Sequence, residues 1–259
     1  MLKIISSRHN NIISETASLR YKKYRAEQQC FLTEGWRSVM EAVKYPELLV
    51  RFFITEDQAG KNPELISAFA DHEGCVITDR MMKHICDTDN PQGVAAVMRI
   101  PASFNGEIEF RGGCYMLLDG INDPGNLGTI IRTVCAFDAE GALLVNNCAD
   151  PFAPKAVRAS MGGILHLPVF ETDTVRLEQL LSGEYNMLGA ALNGESAIDE
   201  VSFSGPVVIA VGNEAKGLSK EVRDLCRTTF YIPMNDLTDS VNVAVASGII
   251  MRKAWLDRK

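Results

Sequence analysis

The sequence predicts an α/β protein whose carboxy-terminal half contains a parallel β-sheet, preceded by a smaller α/β domain. Three observations carry this prediction. Short strands alternate with helices along the second half, and several strands, such as CYMLLD and PVVIAVG, are apolar throughout. Strands that are apolar on both faces are typical of parallel sheets covered by helices on both sides. Residues 100–113 are rich in turn formers, so we expect domains at 1–105 and 112–259.

The smaller domain mixes both kinds of element. Residues 11–28 have the pattern of one helix, and residues 34–43 that of another. The remaining predicted elements are a strand at 48–55, a helix at 64–72, and strands at 75–78 and 93–100.

The larger domain is more regular. Its first strand, 114–119, leads through a turn into a helix over 126–141, for which Gly141 is the expected C-cap. The later predicted elements are the strand ALLV, the helix PKAVRASMGG, the strand LPVF, the helix TVRLEQLL, the strands NMLGAAL and PVVIAVG, the helix KEVRDLC, the strand TTFYIPM and the helix VNVAVASGIIMRKAWLD. Ligands of such sheets bind at the carboxyl ends of the strands, which is where we expect the chemistry.

The composition excludes several classes of protein. With 46% hydrophobic and 23% charged residues the chain has the profile of a soluble globular protein, and no apolar run could span a bilayer. The amino terminus turns polar after five residues, without a signal-peptide core, so we expect a cytoplasmic protein. The seven cysteines are widely spaced without C-x-x-C, and the four histidines are scattered, which predicts neither a disulfide framework nor a metal site.

Charge is unevenly distributed. The net charge of −7 argues mildly against a nucleic-acid-binding protein, yet residues 1–25 hold six basic side chains and the single acid Glu15. A basic segment on an acidic body can still bind phosphate, although a solvated helix face explains the same pattern. The candidate RNA-binding residues are Arg8, Arg20, Lys22, Lys23 and Arg25.

The first candidate site segment follows the strand that ends at Asp119. A helix begins near Asn126, and the exposed N–H groups and small residues there suit an anion or a close backbone approach. Arg132 lies about one and two-thirds turns further along. It interrupts an apolar stretch, so its side chain either reaches solvent or points at a ligand.

The second segment, 211–219, follows an apolar strand. Gly212 and Gly217 stand five apart as in a P-loop, but Leu218 occupies the position of the lysine which that motif requires. A nucleoside triphosphatase is therefore disfavoured, and so is a Rossmann dinucleotide site, since no G-x-G-x-x-G follows a strand. A glycine-bracketed loop with one carboxylate, Glu214, remains, and such a sequence also occurs in ordinary turns.

The third segment, 232–244, is a polar loop between a strand and the last helix. Asp239 or Ser240 is the expected N-cap of that helix. A capping role at either position leaves Asn242 without a structural explanation.

Taken in order, the three segments resemble the SpoU family, also called the TrmH family, of RNA ribose 2′-O-methyltransferases. The matching text is NDPGNLGTIIRTVCAFDAEG, VVIAVGNEAKGLS and YIPMNDLTDSVNVAVASGI, so the resemblance covers about residues 114–257. The amino-terminal part is more loosely similar to that family's substrate-binding domain, through FLTEGWRSVMEAV and DTDNPQGVAAV.

The resemblance implies a deep trefoil knot around residues 208–245 that holds S-adenosylmethionine, and a homodimer with the knots at its interface. Such knots are rare among known folds. By position, the implied catalytic residues are Asn126, Arg132, Glu214, Ser240 and Asn242. The implied cofactor contacts are Leu192, Asn193, Gly212, Ile232 and Val241.

The sequence departs from the family pattern at two places. Val241 stands where leucine is usual, and the loop at 235–239 is more acidic than the glycine-containing loop expected there. Three alternatives stay open: a non-catalytic RNA-binding factor, a methyltransferase of the same class acting on a base nitrogen or on tRNA, and an unrelated nucleotide-binding enzyme. The presence of Arg132, Glu214 and Asn242 argues against the first. The amino-terminal domain favours a large ribosomal RNA such as 23S.

Overall fold

Local sequence patterns account for most of the secondary structure in the computed structural model. The structure describes residues 2–108, 112–181, 185–235, 237 and 240–259. The elements up to residue 108 are β1 Leu2–Ile4, α1 Asn11–Ser18, α2 Lys22–Gln28, β2 Cys30–Glu34, α3 Trp36–Ala42, β3 Leu49–Thr55, α4 Glu56–Lys61, α5 Pro63–Ala68, β4 Gly74–Ile77, α6 Asp79–Ile85, β5 Val94–Arg99 and a 3-10 turn Ala102–Asn105. The later elements are β6 Cys114–Asp119, α7 Pro124–Ala136, β7 Gly141–Val145, α8 Pro154–Ser160, α9 Gly163–His166, β8 Val169–Glu171, α10 Thr174–Leu181, β9 Asn186–Ala190, β10 Ser196–Ala197, a 3-10 turn Ile198–Glu200, β11 Val207–Gly212, α11 Lys220–Leu225, β12 Thr228–Tyr231 and α12 Val243–Asp257.

The chain divides into two compact units. The first consists of Met1–Pro101 with Asp150–Leu165, and the second of Ala102–Ala149 with His166–Lys259. The first unit thus includes a segment that lies well beyond residue 113, which the expected boundary did not anticipate. The division into domains at 1–105 and 112–259 stays a prediction.

The first unit contains a five-stranded mixed sheet in the order β1–β4–β3–β5–β2. Strand β5 is antiparallel to both of its neighbours, while the other pairs are parallel. Strands β3, β4 and β5 confirm three predicted strands. The prediction missed β2, whose five residues are all buried, and it wrongly began a helix at Glu34. Gly35, at φ 86°, ends the strand, and the helix begins only at Trp36.

The predicted single helix over residues 11–28 is in fact two helices, α1 and α2. Between them the carbonyl of Leu19 accepts a hydrogen bond from Arg25 Nη1 at 2.7 Å. The Arg25 side chain is 5% exposed and forms an ion pair with Asp150 at 2.6 Å. A guanidinium that is buried and paired in this way has a structural role, which argues against an RNA contact at Arg25. That contact stays a prediction.

The segment Asp150–Leu165 contributes a second ion-pair cluster to the first unit. Arg158 Nη1 lies 2.8 Å from both Glu34 Oε1 and Asp87 Oδ2. Glu34 is buried, and the oxygen Oε2 of its carboxylate accepts a hydrogen bond from Thr88 at 3.2 Å. A buried carboxylate without a partner would destabilise the folded state. The ion pair with Arg158, in the segment that returns to the first unit, therefore stabilises the buried carboxylate of Glu34.

The second unit contains a seven-stranded sheet in the order β10–β12–β9–β11–β6–β7–β8. Every strand pair in it is parallel. All residues of β6 and β7 are buried, as expected for central strands covered on both faces, which confirms the predicted fold class. In the described part of the chain no helix is long and apolar enough to cross a membrane.

Helix α7 ends earlier than predicted. Its last residue is Ala136, and Asp138 adopts a left-handed φ of 56° as the chain turns. The expected C-cap, Gly141, is instead the first residue of β7 and pairs with Tyr115. A Cβ at this glycine would meet the Pro168 carbonyl oxygen at 3.0 Å, so close packing between neighbouring strands accounts for the residue.

Candidate functional site

The candidate site lies at the carboxyl edge of the parallel sheet in the second unit. Strands β6, β11 and β12 end there, and each is followed by one of the three loops that the sequence singled out. Parallel strands direct all their carboxyl ends to the same edge, so loops that are distant in sequence become neighbours.

Three polar side chains, one from each loop, form a hydrogen-bonded chain. Asn126 Nδ2 donates to Glu214 Oε1 at 2.8 Å, and Asn242 Nδ2 donates to Asn126 Oδ1 at 3.0 Å. The amide of Asn126 therefore donates to the carboxylate of Glu214 and accepts from the amide of Asn242. A carboxylate can accept about four hydrogen bonds, so Glu214 retains capacity for a further donor.

The backbone holds the two asparagines in place. Asn126 N donates to Asp123 Oδ1 at 2.8 Å, and Asp123 is the N-cap of α7. Asn242 is itself the N-cap of α12, because its Oδ1 accepts a hydrogen bond from Ala244 N at 2.9 Å. The expectation that Asp239 or Ser240 caps this helix is wrong. Capping occupies the oxygen of Asn242 and leaves its amide nitrogen to reach Asn126.

Asp119 is a residue of this edge that the sequence analysis did not select. It is buried, its Oδ2 accepts from Ser219 N at 2.6 Å, and its Oδ1 accepts from Asn146 Nδ2 at 2.7 Å. Asn146 Nδ2 also lies 3.1 Å from Ser219 Oγ. These bonds join the end of β6 to the end of the loop that carries Glu214. A charged residue closing an otherwise apolar strand was the available sequence signal.

Asn213 reinforces the same junction. Its Nδ2 donates to the Gly120 carbonyl at 2.8 Å, and its Oδ1 accepts from the backbone amides of Ala215 and Lys216. The residue before Glu214 thus turns its own loop and connects it to the loop after β6. Glu214 is exposed, but hydrogen bonds of Asn213 and Ser219 fix the backbone of its loop on both sides of it.

A cavity of about 440 Å³ adjoins this hydrogen-bonded chain. Its volume is within the range of small-molecule sites, and most of its wall is apolar or main chain. All five residues expected to contact a cofactor line it, together with Glu214, Ser240 and Asn242. The complete lining is Ala190, Ala191, Leu192, Asn193, Val211, Gly212, Asn213, Glu214, Ala215, Lys216, Gly217, Arg223, Phe230, Tyr231, Ile232, Met234, Ser240, Val241, Asn242, Val243 and Ala246.

Arg132 and Ser240 are not joined to the chain of three side chains. Ser240 is exposed at the cavity wall, and Arg132 is exposed on α7 outside the lining. Neither side chain has a hydrogen-bond partner within the described ranges. In the acidic loop, Leu237 N donates to Asn235 Oδ1 at 3.1 Å, while Asp236, Thr238 and Asp239 lie outside the described residues.

The basic residues near the amino terminus fall into two groups. Arg8, Lys22 and Lys23 are exposed, as an RNA contact requires. Arg20 is also exposed, but its guanidinium donates to the carbonyl of Ala17 at 3.1 Å and to that of His84. Arg20 thus keeps only part of its hydrogen-bonding capacity for a ligand.

The cysteines near the site are neutral thiols. All seven cysteines of the chain are free. Burial raises the pKa of Cys148 to about 11, with hydrogen bonds from Ile121 N and Gly120 N partly opposing the shift. Burial likewise raises the pKa of Cys226 to about 12. Thiolate chemistry at neutral pH is therefore disfavoured at these two residues. Among the described residues, no group of three or more His, Cys, Asp or Glu could hold a metal ion.

Two family models match the chain. The SpoU rRNA Methylase family matches residues 113–252, and the MRM3-like substrate binding domain matches residues 10–96. A curated relative, the 23S rRNA (guanosine(2553)-2′-O)-methyltransferase RlmP of Bacillus subtilis (strain 168), is 28% identical over 251 residues. That alignment covers 96% of this chain and 98% of the relative.

Solved structures are similar over almost the whole chain. The AdoMet-bound rRNA methyltransferase from Sinorhizobium meliloti matches with a TM-score of 0.86 and 27% identity, covering 98% of this chain and 97% of that one. An RNA 2′-O ribose methyltransferase matches with a TM-score of 0.83 and 27% identity, covering 98% of this chain and 99% of that one.

Proposed function

The chain belongs to the SpoU rRNA methylase family, and from this membership we propose that it transfers a methyl group from S-adenosylmethionine to a ribose 2′-hydroxyl of 23S ribosomal RNA. The observation that carries the proposal is the hydrogen-bonded chain of Asn126, Glu214 and Asn242 beside a cavity of cofactor size. A fold retained only for RNA binding has no need of three polar side chains aligned at that cavity.

Two findings support a ribosomal RNA substrate. RlmP, which is similar over 96% of this chain, bears the name of a 23S rRNA 2′-O-methyltransferase. The amino-terminal residues 10–96 match a substrate-binding domain in addition to the catalytic family. A tRNA ribose is the second candidate, because another relative, 28% identical over 255 residues, is described as a tRNA/rRNA methyltransferase.

The cavity fits the cofactor by the chemistry of its wall. Ile232 and Val241 offer apolar contacts for an adenine ring, and the Gly212 backbone lies open to the ligand. Leu192 lines the cavity and is 66% exposed, so its side chain is accessible to a ligand. S-adenosylmethionine supplies an electrophilic methyl group on a positively charged sulfur. The chain's own residues must therefore supply alignment and a path for the hydroxyl proton.

In the proposed mechanism Arg132 positions the ribose and its neighbouring phosphate. A guanidinium holds its proton firmly in proteins, so it is a poor general base. Its contribution would be charge and geometry: it would hold the ribose hydroxyl and the adjacent phosphate at the mouth of the site, and an RNA phosphate oxygen would take the hydroxyl proton. The cofactor, bound in the cavity, would supply the methyl group and leave as the neutral thioether. Glu214, oriented by Asn126, orients Arg132 or the ribose. Asn242 and Ser240 hold the loop against which the ribose rests.

The experiment that tests this function is transfer of tritiated methyl from labelled S-adenosylmethionine into unmodified large-subunit rRNA, small-subunit rRNA and tRNA. We expect label in 23S rRNA, on a 2′-hydroxyl, with resistance of the modified linkage to alkaline hydrolysis. Label on a base would contradict ribose chemistry, and label in tRNA alone would replace the substrate. No label in any RNA would refute the function.

We also propose that the chain works as a cytoplasmic homodimer whose carboxy-terminal segments form a trefoil knot. Free cysteines are usual in a reducing compartment, which supports the location. On α12, Val245, Ile249 and Leu256 are 54%, 42% and 50% exposed. Their spacing of four and seven residues aligns them on one helix face, and a second copy would cover them.

The dimer is tested by changing that face. We expect the wild-type chain to show twice its monomer mass in light scattering, and the Val245→Asp/Ile249→Asp variant to be a monomer. Val175→Asp, at a 64% exposed position on α10, is the control and is expected to stay dimeric. A monomeric wild type at micromolar concentration contradicts the proposal.

A further inference from the structure

Two tyrosines of the first unit are exposed although the unit has a well-formed core. Tyr21 is 59% and Tyr24 is 39% exposed, whereas Phe31, Phe52 and Phe53 are fully buried. A tyrosine ring has a large apolar surface, so an exposed pair of them commonly marks a binding surface. Tyr21 directly precedes α2 and Tyr24 lies in its first turn.

The two rings are held against one another. Their centroids are 6.4 Å apart with planes at 65°, which is an edge-to-face pair. Such a pair covers at most one face of one ring and leaves other faces for a planar ligand. Lys23 Nζ lies 5.8 Å from the Tyr24 centroid, so a positive charge stands beside the same ring.

The charge around these rings fits an anionic partner. Lys22 and Lys23 are exposed, and neither has an ion-pair partner in the part of the chain that the structure describes. Arg25, which completes the same basic run, is used internally by Asp150 and the Leu19 carbonyl. The free positive charge is therefore concentrated between the two tyrosines, on a protein whose net charge is −7.

Aromatic rings interleaved with lysines suit unpaired nucleotides in particular. In a duplex the base faces are hidden within the stack, and only phosphates and groove edges remain accessible. Unpaired bases can instead stack on tyrosine while their phosphates contact lysine. An acidic peptide would satisfy the lysines, but its carboxylates have no aromatic face to stack on the tyrosine rings.

We propose that Tyr21, Lys22, Lys23 and Tyr24, here called the tyrosine–lysine patch, bind an unpaired stretch of the substrate RNA. The bases stack on the two rings and the phosphates contact the two lysines. This inference rests on the proposed function, because it assigns part of the RNA to the amino-terminal domain. Two contacts hold the helix that carries the patch. Buried Arg25 anchors α2, and Gln28 Nε2 donates to Ser18 Oγ of α1 at 3.1 Å.

The test is fluorescence anisotropy with a labelled, unstructured oligoribonucleotide and with the duplex formed from it and its complement. We expect Tyr21→Ala/Tyr24→Ala to bind the single strand more weakly by roughly 30-fold or more, because a stacked base is lost from each of the two rings. Duplex affinity should change less than about twofold. Tyr21→Phe/Tyr24→Phe, which keeps both rings, should bind the single strand within about twofold of wild type.

The lysines have a separate readout. Removing two phosphate contacts to a single strand should lower the slope of log affinity against log salt by about 1.4. We expect this for Lys22→Ala/Lys23→Ala and not for Lys44→Ala/Lys61→Ala, whose exposed lysines are paired with Glu41 and Asp57. The salt slope distinguishes a loss of phosphate contacts from a loss of folding. The midpoint of thermal unfolding of each variant should match that of the wild type, because all four patch side chains are exposed.

The inference is overturned if the double alanine variant binds the single strand as wild type does, or if it loses single strand and duplex equally. Failure of the proposed function gives a different result. In that case the wild-type chain transfers no methyl group to any RNA, whatever the tyrosines do. If rRNA is methylated by the wild type and equally well by Tyr21→Ala/Tyr24→Ala, with unchanged single-strand affinity, the patch alone is refuted.

Discussion

Replacing Arg132 by alanine is expected to lower the rate of methyl transfer about 100- to 1,000-fold while cofactor affinity stays within about twofold of wild type. The physical reason is the separation of the two sites. The Arg132 side chain is exposed on α7 and does not line the cavity, so its loss leaves the cavity wall intact. In the proposed mechanism, what is lost is the positive charge that holds the ribose and phosphate during transfer.

The measurement is single-turnover methyl transfer to 23S rRNA beside calorimetric binding of S-adenosylhomocysteine. Arg132→Lys keeps the charge but not the planar fork of donors, so it should recover only part of the rate. Arg227→Ala is the matched control, since Arg227 is also exposed and donates to Asn186 Oδ1 at 2.9 Å away from the cavity. Full activity of Arg132→Ala refutes the assignment.

The second large effect is expected at Gly212, where alanine should weaken cofactor binding roughly tenfold or more. A Cβ built at this residue would lie 2.2 Å from the Gly217 carbonyl carbon and 2.3 Å from Leu218 N, both backbone atoms. The loop that carries Glu214 must then move, and overpacking of this kind costs about 1–3 kcal/mol. The cavity loses its shape together with the orientation of Glu214.

Calorimetric titration with S-adenosylhomocysteine measures this change directly. Gly60→Ala is the control, because a Cβ at Gly60 in α4 would meet nothing within 4 Å. We expect Gly60→Ala to bind the cofactor product as wild type does, and circular dichroism to show both variants folded. Unchanged affinity in folded Gly212→Ala would show that the cavity is not the cofactor site.

Much of the fold was predictable because it depends on local pattern. The strands β6, β7 and β11 were predicted from short apolar runs, and the helices between them from apolar positions at helical spacing. Predictions failed where a neighbour distant in sequence decides the outcome. Gly141, the expected C-cap of α7, instead begins β7 and pairs with Tyr115, and nothing near residue 136 indicates that pairing.

The candidate site was predictable as a set of residues, but its internal arrangement was not. The resemblance of the three segments to the SpoU family implied Asn126, Glu214 and Asn242 together. Only the structure shows that Asn126 bridges the other two, across separations of 88 and 116 residues. Asp119 was missed because a single acid at the end of a strand has many ordinary explanations.

The sequence by itself determined the α/β class, the parallel sheet of the second unit and the three loops at its carboxyl edge. These depend on periodicity and on short motifs, which a window of a few residues contains. The tertiary structure alone decided that Asn126 bridges Glu214 and Asn242, that Arg25 is buried against Asp150, and that Asp119 holds the loop of Glu214. Each of these depends on burial or on a hydrogen bond to a residue that is far away along the chain. Both exist only in the packed molecule, so no short stretch of sequence contains them.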